Sequence, residues 1–160
     1  MAQYQCISCE AIQTSGDNEP DACRDCGGPV FDLDRYEASR AEAQIIGAQN
    51  DAFRMALGPA IWQGEILRGR VVVTRGILAL GPDFVAAALT LTRSDTAFMD
   101  DHGADGARSF GMPEVPQGVQ TIRIYWKIDL YDNDALMGPE VESDPDQTIR
   151  VLTLCLPDEY

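Results

Sequence analysis

Four of the five cysteines stand in two Cys-x-x-Cys pairs, Cys6/Cys9 and Cys23/Cys26, with thirteen residues between the pairs. The short x-x spacing lets each pair fold into a tight knuckle whose backbone N–H groups bond the sulfurs, and two pairs place four thiolates around one ion. Gly27 and Gly28 follow Cys26, where such a knuckle favours a residue free to take positive φ. Tetrahedral sulfur coordination suits zinc, with iron as the competing metal. A thiol–disulfide site is the other use of a Cys-x-x-Cys, but neither pair opens a predicted βα unit, and two pairs together are better explained as four ligands. A catalytic zinc keeps an open position and usually has His or carboxylate ligands, whereas four cysteines close the shell. The expected cofactor is therefore one structural Zn2+. The first thirty residues carry few large apolar side chains and could not bury a core of their own without such a staple. Residues 1–33 are thus predicted to be a zinc-ribbon-like module and residues 34–160 an acidic α+β domain. Cys155, mid-strand among Leu and Val, reads as a buried inert thiol.

Behind the cysteines, "FDLDRYEASRAEAQIIGAQNDAFRMALGP" reads as a helix. Asp34 can cap it, Glu37 completes a capping box, and Ile45, Gln49, Ala52, Phe53 and Ala56 form one stripe that Gly58-Pro59 ends. Val71 to Thr74 is a short β-branched strand, and "TRG" at its end is a turn on glycine. "GPDFVAAALTLTR" gives a second helix with Pro82 at its first position and Phe84, Val85, Ala88, Leu89 and Thr92 on its apolar face. Ser94 to Gln117 reads as loop. In "VQTIRIYWKIDLY", Ile122, Ile124, Trp126, Ile128 and Leu130 alternate with Thr121, Arg123, Tyr125, Lys127, Asp129 and Tyr131, the pattern of a half-buried strand. "TIRVLTLCL" closes the chain as a strand that returns antiparallel beside it. The predicted class is α+β: a small antiparallel sheet with two packed helices, preceded by the four-cysteine ribbon.

The net charge of −14 and only twelve scattered Lys and Arg argue against direct binding to nucleic-acid phosphates. From Asp129 to Asp146 there are seven acidic residues (Asp129, Asp132, Asp134, Glu140, Glu142, Asp144 and Asp146) and no basic one. The bland reading is a solvated acidic surface; the sharper one is a face for a basic protein partner, imitating nucleic acid. The loop is not an EF-hand, because Leu136 stands where the fifth-position oxygen belongs. His102, the single histidine, lies beside Asp100, Asp101 and Asp105, so a metal-assisted hydrolase is the alternative function, set against a solvated turn. Glycine-rich phosphate loops are absent. Tyr125 and Trp126 beside Lys127 are strand-face packing rather than a base-stacking platform. No window has the length of apolar chain that spans a bilayer, and "MAQYQCISCE" lacks the regions of a secretory signal. The expected location is the cytoplasm, with reduced cysteines and no membrane partner.

An ordered set of motifs carries a family resemblance: "NDAFR" at Asn50 to Arg54, "GRVVVTRGI" at Gly69 to Ile77, "YWKIDLYD" at Tyr125 to Asp132 and the terminal "TIRVLTLCLPDEY". From about Gln49 onward the chain resembles the bacterial domain-of-unknown-function family 3768. The resemblance implies a small cytosolic protein of the kind found in alphaproteobacteria and on their plasmids, with no established activity. Relatives tend to carry His-Asp-Phe-Gly where this chain reads "RSFG", Arg108 to Gly111, so any role of that histidine is lost here and His102 does not replace it. The ribbon looks like an addition in front of the family domain. Together these readings favour a non-enzymatic interaction protein, with a plasmid-borne anti-defence role as its sharpest form.

Overall fold

A computed structural model describes residues 1–16, 18–99 and 106–160. The chain divides into two units, Met1–Glu42 and Ala43–Tyr160. In the first, β1 (Ala2–Cys6) lies between β2 (Ile12–Ser15) and β3 (Val30–Asp32), antiparallel to both. Tyr4 of β1 faces Gln13 on one side and Asp32 on the other. Among the described residues of this unit, the buried hydrophobic side chains are Tyr4, Cys6 and Cys23. That is too little apolar surface to hold three strands together.

Helix α1 (Leu33–Ala56) follows β3 directly. The predicted cap at Asp34 is displaced by two residues. Asp32, the last extended residue, accepts the Arg35 N–H at 2.9 Å, while Asp34 sits inside the first turn and accepts the Gln3 N–H at 3.0 Å. Of the predicted stripe, Gln49 and Phe53 are fully buried and Ala52 is half-buried, but its outer members are not. Ile45 is 42% exposed, and Ala56 is exposed, whereas Ala43, Ile46, Gly47, Gln49, Asn50, Phe53 and Arg54 are buried. The helix buries a polar edge as well as an apolar one, so apolar periodicity finds the centre of the face and misplaces its edges.

The second unit continues with β4 (Ala60–Trp62), β5 (Glu65–Val73), α2 (Arg75–Ala79), α3 (Pro82–Ser94), β6 (Phe110–Gly111), β7 (Glu114–Gln117), β8 (Gln120–Arg123), β9 (Tyr125–Tyr131), β10 (Ile149–Cys155) and a closing 3-10 turn, Pro157–Glu159. The main sheet runs β4-β5-β10-β9-β6, and β7 and β8 form a separate hairpin. β9 and β10 pair antiparallel as predicted, Leu152 opposite Ile128. On its other side β10 pairs parallel with β5, a partnership that no sequence pattern foretells. Helices and sheets together make the class α+β.

Four local differences have physical causes. The strand predicted at Val71 extends back to Glu65, because Gln63 (φ 49°) and Gly64 (φ 88°) close a tight hairpin onto β4. Gly76 is not a simple turn: it lies in α2, whose start is held by a residue from the far C-terminus. The segment read as loop contains β6 and β7, pairings too short to leave a periodic trace. The long alternating strand breaks at Ile124, between β8 and β9: its N–H still bonds the Pro113 carbonyl and extends the β7–β8 hairpin by one rung, and from Tyr125 the chain pairs with β10 instead.

One face of the main sheet carries the core: Phe53 of α1, Ile77 of α2, and Phe84 and Ala88 of α3 pack with Leu67, Ile128, Trp126, Leu152 and Leu154. Gly69 is required there. A Cβ at this position would collide with the Arg150 carbonyl oxygen and sit 2.7 Å from the Phe53 ring. Trp126 is fully buried, in keeping with strand-face packing, and Cys155 is buried with its thiol pushed up by desolvation. No helix among the described residues is long and apolar enough to cross a membrane.

Candidate metal centre

The four paired cysteines meet at one point. Cys6 and Cys9 flank the turn after β1, and Cys23 and Cys26 flank the turn before β3. All four sulfurs lie within 4.8 Å of one another, with Cys6 to Cys26 at 3.5 Å and Cys9 to Cys23 at 3.7 Å. A tetrahedron of thiolates around an ion at the usual zinc–sulfur bond length has edges of about 3.8 Å. The four sulfurs therefore have the spacing to hold a metal ion.

The two turns repeat one another. Glu10 N–H donates to the Cys6 carbonyl at 3.0 Å, and Gly27 N–H donates to the Cys23 carbonyl at 2.9 Å. Both residues have positive φ, 61° and 71°. The Ser8 N–H points to the Cys6 sulfur at 3.4 Å, as the knuckle geometry requires. Gly28 lies where the knuckles touch: a Cβ on it would sit 2.7 Å from Ser8 Oγ and 3.2 Å from Cys26 Sγ. Cys6 and Cys23 are buried, and Cys9 and Cys26 reach solvent.

Crowding perturbs the thiols. Burial pushes Cys6 up, but backbone hydrogen bonds at Cys9 and Ser8 and the thiols of Cys26 and Cys9 outweigh it and leave the group at about 7. A backbone hydrogen bond at Ala11 pulls Cys9 down, yet the thiols of Cys26 and Cys6, with burial, push it up to about 12. For Cys26 the Gly28 backbone and Cys9 pull down, and Cys6, Cys23 and burial leave it raised. Thiolates crowded this closely repel one another when no cation lies between them. A divalent cation would displace the thiol protons and convert mutual repulsion into attraction.

The second predicted group, the carboxylates from Asp129 to Asp146, separates into two sets. Asp129 pairs with Lys127 at 2.9 Å on the sheet. Asp132 accepts the Leu136 N–H at 3.1 Å, and Asp144 accepts the Asp146 N–H at 2.9 Å and the Gln147 side chain at 2.6 Å, so both shape the loop. Asp134, Glu140, Glu142 and Asp146 are exposed. The loop is held from beneath. Arg68 donates to the Asn133 side chain at 2.7 Å and to the Pro145 and Asp146 carbonyls, Gln49 donates to the Ser143 carbonyl at 2.8 Å, and Thr148 reaches the Val141 and Glu142 carbonyls. His102, Asp100, Asp101 and Asp105, the group behind the hydrolase alternative, lie outside the described residues.

A buried polar network that charge and motif reading did not single out lies under the sheet. Arg150, fully buried on β10, donates to Asn50 Oδ1 at 3.1 Å and to Gln49 Oε1. Arg54 donates to the Thr92 and Arg93 carbonyls at 2.6 and 3.0 Å and pairs with Asp51 at 2.9 Å, its guanidinium lying over Phe98 and Trp126. Arg108, where the resemblance implies a histidine, takes the other Asp51 oxygen at 2.6 Å. The motifs around Asn50–Arg54 and Arg150 thus meet in space, joined by side chains that anchor α1 to the sheet. The signal for this was present: Gln49 and Asn50 interrupt an otherwise apolar helix face.

Fold and site together define a small α+β protein fronted by a four-cysteine site able to hold a metal ion. Within that class, the chain belongs to DUF3768, a family described as protein of unknown function, whose model matches residues 73–159. The match begins at the end of β5, so the "NDAFR" motif and the ribbon both precede it. No curated protein and no solved structure matches the chain.

Proposed function

We propose that this protein is a non-enzymatic interaction protein. Its acidic α+β domain binds another, basic protein, and its four-cysteine ribbon holds one structural zinc. The observation that carries the reading is the loop between β9 and β10: Asp134, Glu140, Glu142 and Asp146 are exposed on a backbone that Arg68, Gln49 and Thr148 hold in place. An ordered acidic surface meets a cationic partner without first being ordered by it, which favours complex formation. Zinc is the proposed metal because tetrahedral sulfur coordination suits it, and the role is structural because four thiolates leave no ligand position for substrate. The protein acts in the cytoplasm, where its thiols remain reduced. In its sharpest form the loop stands in for nucleic-acid phosphates on a basic nucleic-acid-binding target, an anti-defence role consistent with the plasmid setting that the family resemblance implies.

The test has two arms. Metal analysis of the purified chain should give about one zinc per chain, as a single four-thiolate site requires. The immobilised protein should capture a basic nucleic-acid-binding protein, and moderate salt or added duplex DNA should release it. Binding indifferent to both salt and DNA would remove the charge-imitation reading.

A further inference from the structure

The acidic loop is not purely acidic. Leu136 and Met137 at its tip are 80% and 72% exposed, and Val141 is exposed between Glu140 and Glu142. Asp132, Asp134, Met137 and Glu140 line one shallow depression of about 400 Å³. A second apolar feature sits beside it. On the β4–β5 hairpin, Ile61 and Ile66 are cross-strand partners, 76% and 64% exposed. β4 is an outermost strand of the main sheet, so the pair lies on an edge.

Arg68 joins the two features. It stands two residues after Ile66 on β5 and therefore on the same face of the sheet. Its guanidinium bonds Asn133, Pro145 and Asp146 at the base of the loop. Asn133 in turn lies within the turn that the Asp132 N–H closes on the Met137 carbonyl at 2.8 Å. Through Arg68 the hairpin isoleucines and the base of the acidic loop are neighbours, and the depression lined by Asp132, Asp134, Met137 and Glu140 brings loop carboxylates and an apolar side chain together. Exposed apolar side chains give nothing to a surface that only imitates phosphate, but they are what a protein-binding surface requires.

We infer that the Ile61/Ile66 hairpin and the 132–147 loop form a single docking surface for a cationic amphipathic protein segment, its basic side chains on Asp134, Glu140 and Glu142 and its apolar ones on Ile61, Ile66, Leu136 and Met137. The inference rests on the acidic-surface reading above and narrows its partner to a segment with both kinds of side chain.

The full chain, metal-loaded, is titrated at physiological ionic strength with two labelled probes: a short amphipathic helical peptide of Leu and Lys, and an oligolysine of equal charge. The amphipathic peptide should bind about tenfold more tightly, the equivalent of burying one leucine-sized side chain. Ile61→Thr/Ile66→Thr and Leu136→Ser/Met137→Ser should each remove most of that difference and leave oligolysine binding unchanged; a circular dichroism spectrum like the parent's verifies folding. Asp134→Asn/Glu140→Gln/Glu142→Gln should weaken both peptides. Equal binding of the two probes, or a difference that survives both apolar variants, overturns the composite surface and leaves the acidic reading standing. Failure of both probes to bind overturns the two together.

Discussion

Glu10 and Gly27 occupy equivalent places, each just after the second cysteine of its pair and each donating its N–H to the carbonyl of the first. Only one of them is suited to it. A left-handed backbone costs an L-residue about 1–2 kcal/mol, and glycine almost none. Glu10 holds φ at 61° with a side chain that is exposed. Glu10→Gly should therefore stabilise the metal-loaded protein by about 0.5–1 kcal/mol, once the extra freedom glycine gives the unfolded chain is subtracted. Thermal denaturation followed with stoichiometric metal present checks this, and metal content should not change. The same scale explains why the predicted stripe of α1 held only in part. Gln49 and Asn50 are fully buried because the Arg150 guanidinium needs their oxygens. A buried cation demands polar partners, and Asn50 is therefore buried beside Gln49 although apolar periodicity leaves it outside the stripe. The helix and the centre of its buried face were legible in the sequence; the full width of that face was not, because Asn50 is held there by a residue a hundred positions away.

At the scale of elements, legibility follows the range of the interactions that define each one. β9 announces itself by alternation, β10 by its apolar run, and α3 by Pro82 and its apolar face, because their patterns are local. The hairpin β4–β5 hides because Ile61 and Ile66 point outward, against the rule that apolar residues mark a core. Helix α2 hides because its start is capped from the opposite end of the sequence. Glu159 accepts the Thr74 hydroxyl at 2.6 Å, the Gly76 N–H at 2.9 Å and the Leu156 N–H at 3.0 Å. These donors favour the charged form, the Thr74 hydroxyl most, and hold the Glu159 carboxyl below its ordinary range. A carboxyl depressed on folding contributes stability that is fully present above its unfolded pKa of about 4.3 and is lost as pH falls through the depressed folded value. Glu159→Gln should accordingly lower stability at neutral pH, and the difference from the parent should shrink as pH falls below that range. Urea denaturation across the acid limb measures it. A difference that stayed constant with pH would assign Glu159 a packing role in place of a charged cap.

For the whole molecule, the question is what holds each unit together. Residues 43–160 bury a continuous core from Phe53 to Leu154. Residues 1–42 have three strands, but the buried hydrophobic side chains among their described residues are Tyr4 and two of the cysteines. Cys-x-x-Cys spacing foretold the meeting of four sulfurs because a knuckle is a local structure, and the shortage of apolar residues foretold that something else must supply the stability. The proposed docking surface was only half legible: its carboxylates appear in the charge count, while Leu136 and Met137 show their exposure only in the fold. If the bound ion supplies the folding free energy of the first unit, a strong chelator should unfold β1, β2 and β3 and leave the main sheet intact. Amide hydrogen exchange tests this. Removal of metal should collapse protection at Tyr4, Gln5 and Phe31, with little change at Val71, Ile128 and Leu152. The chelated protein should still bind a cationic amphipathic peptide with near-parental affinity, because Ile61, Ile66 and residues 132–147 all belong to the second unit. Loss of protection in β9 and β10 on chelation would instead mean that the ion stabilises the whole chain.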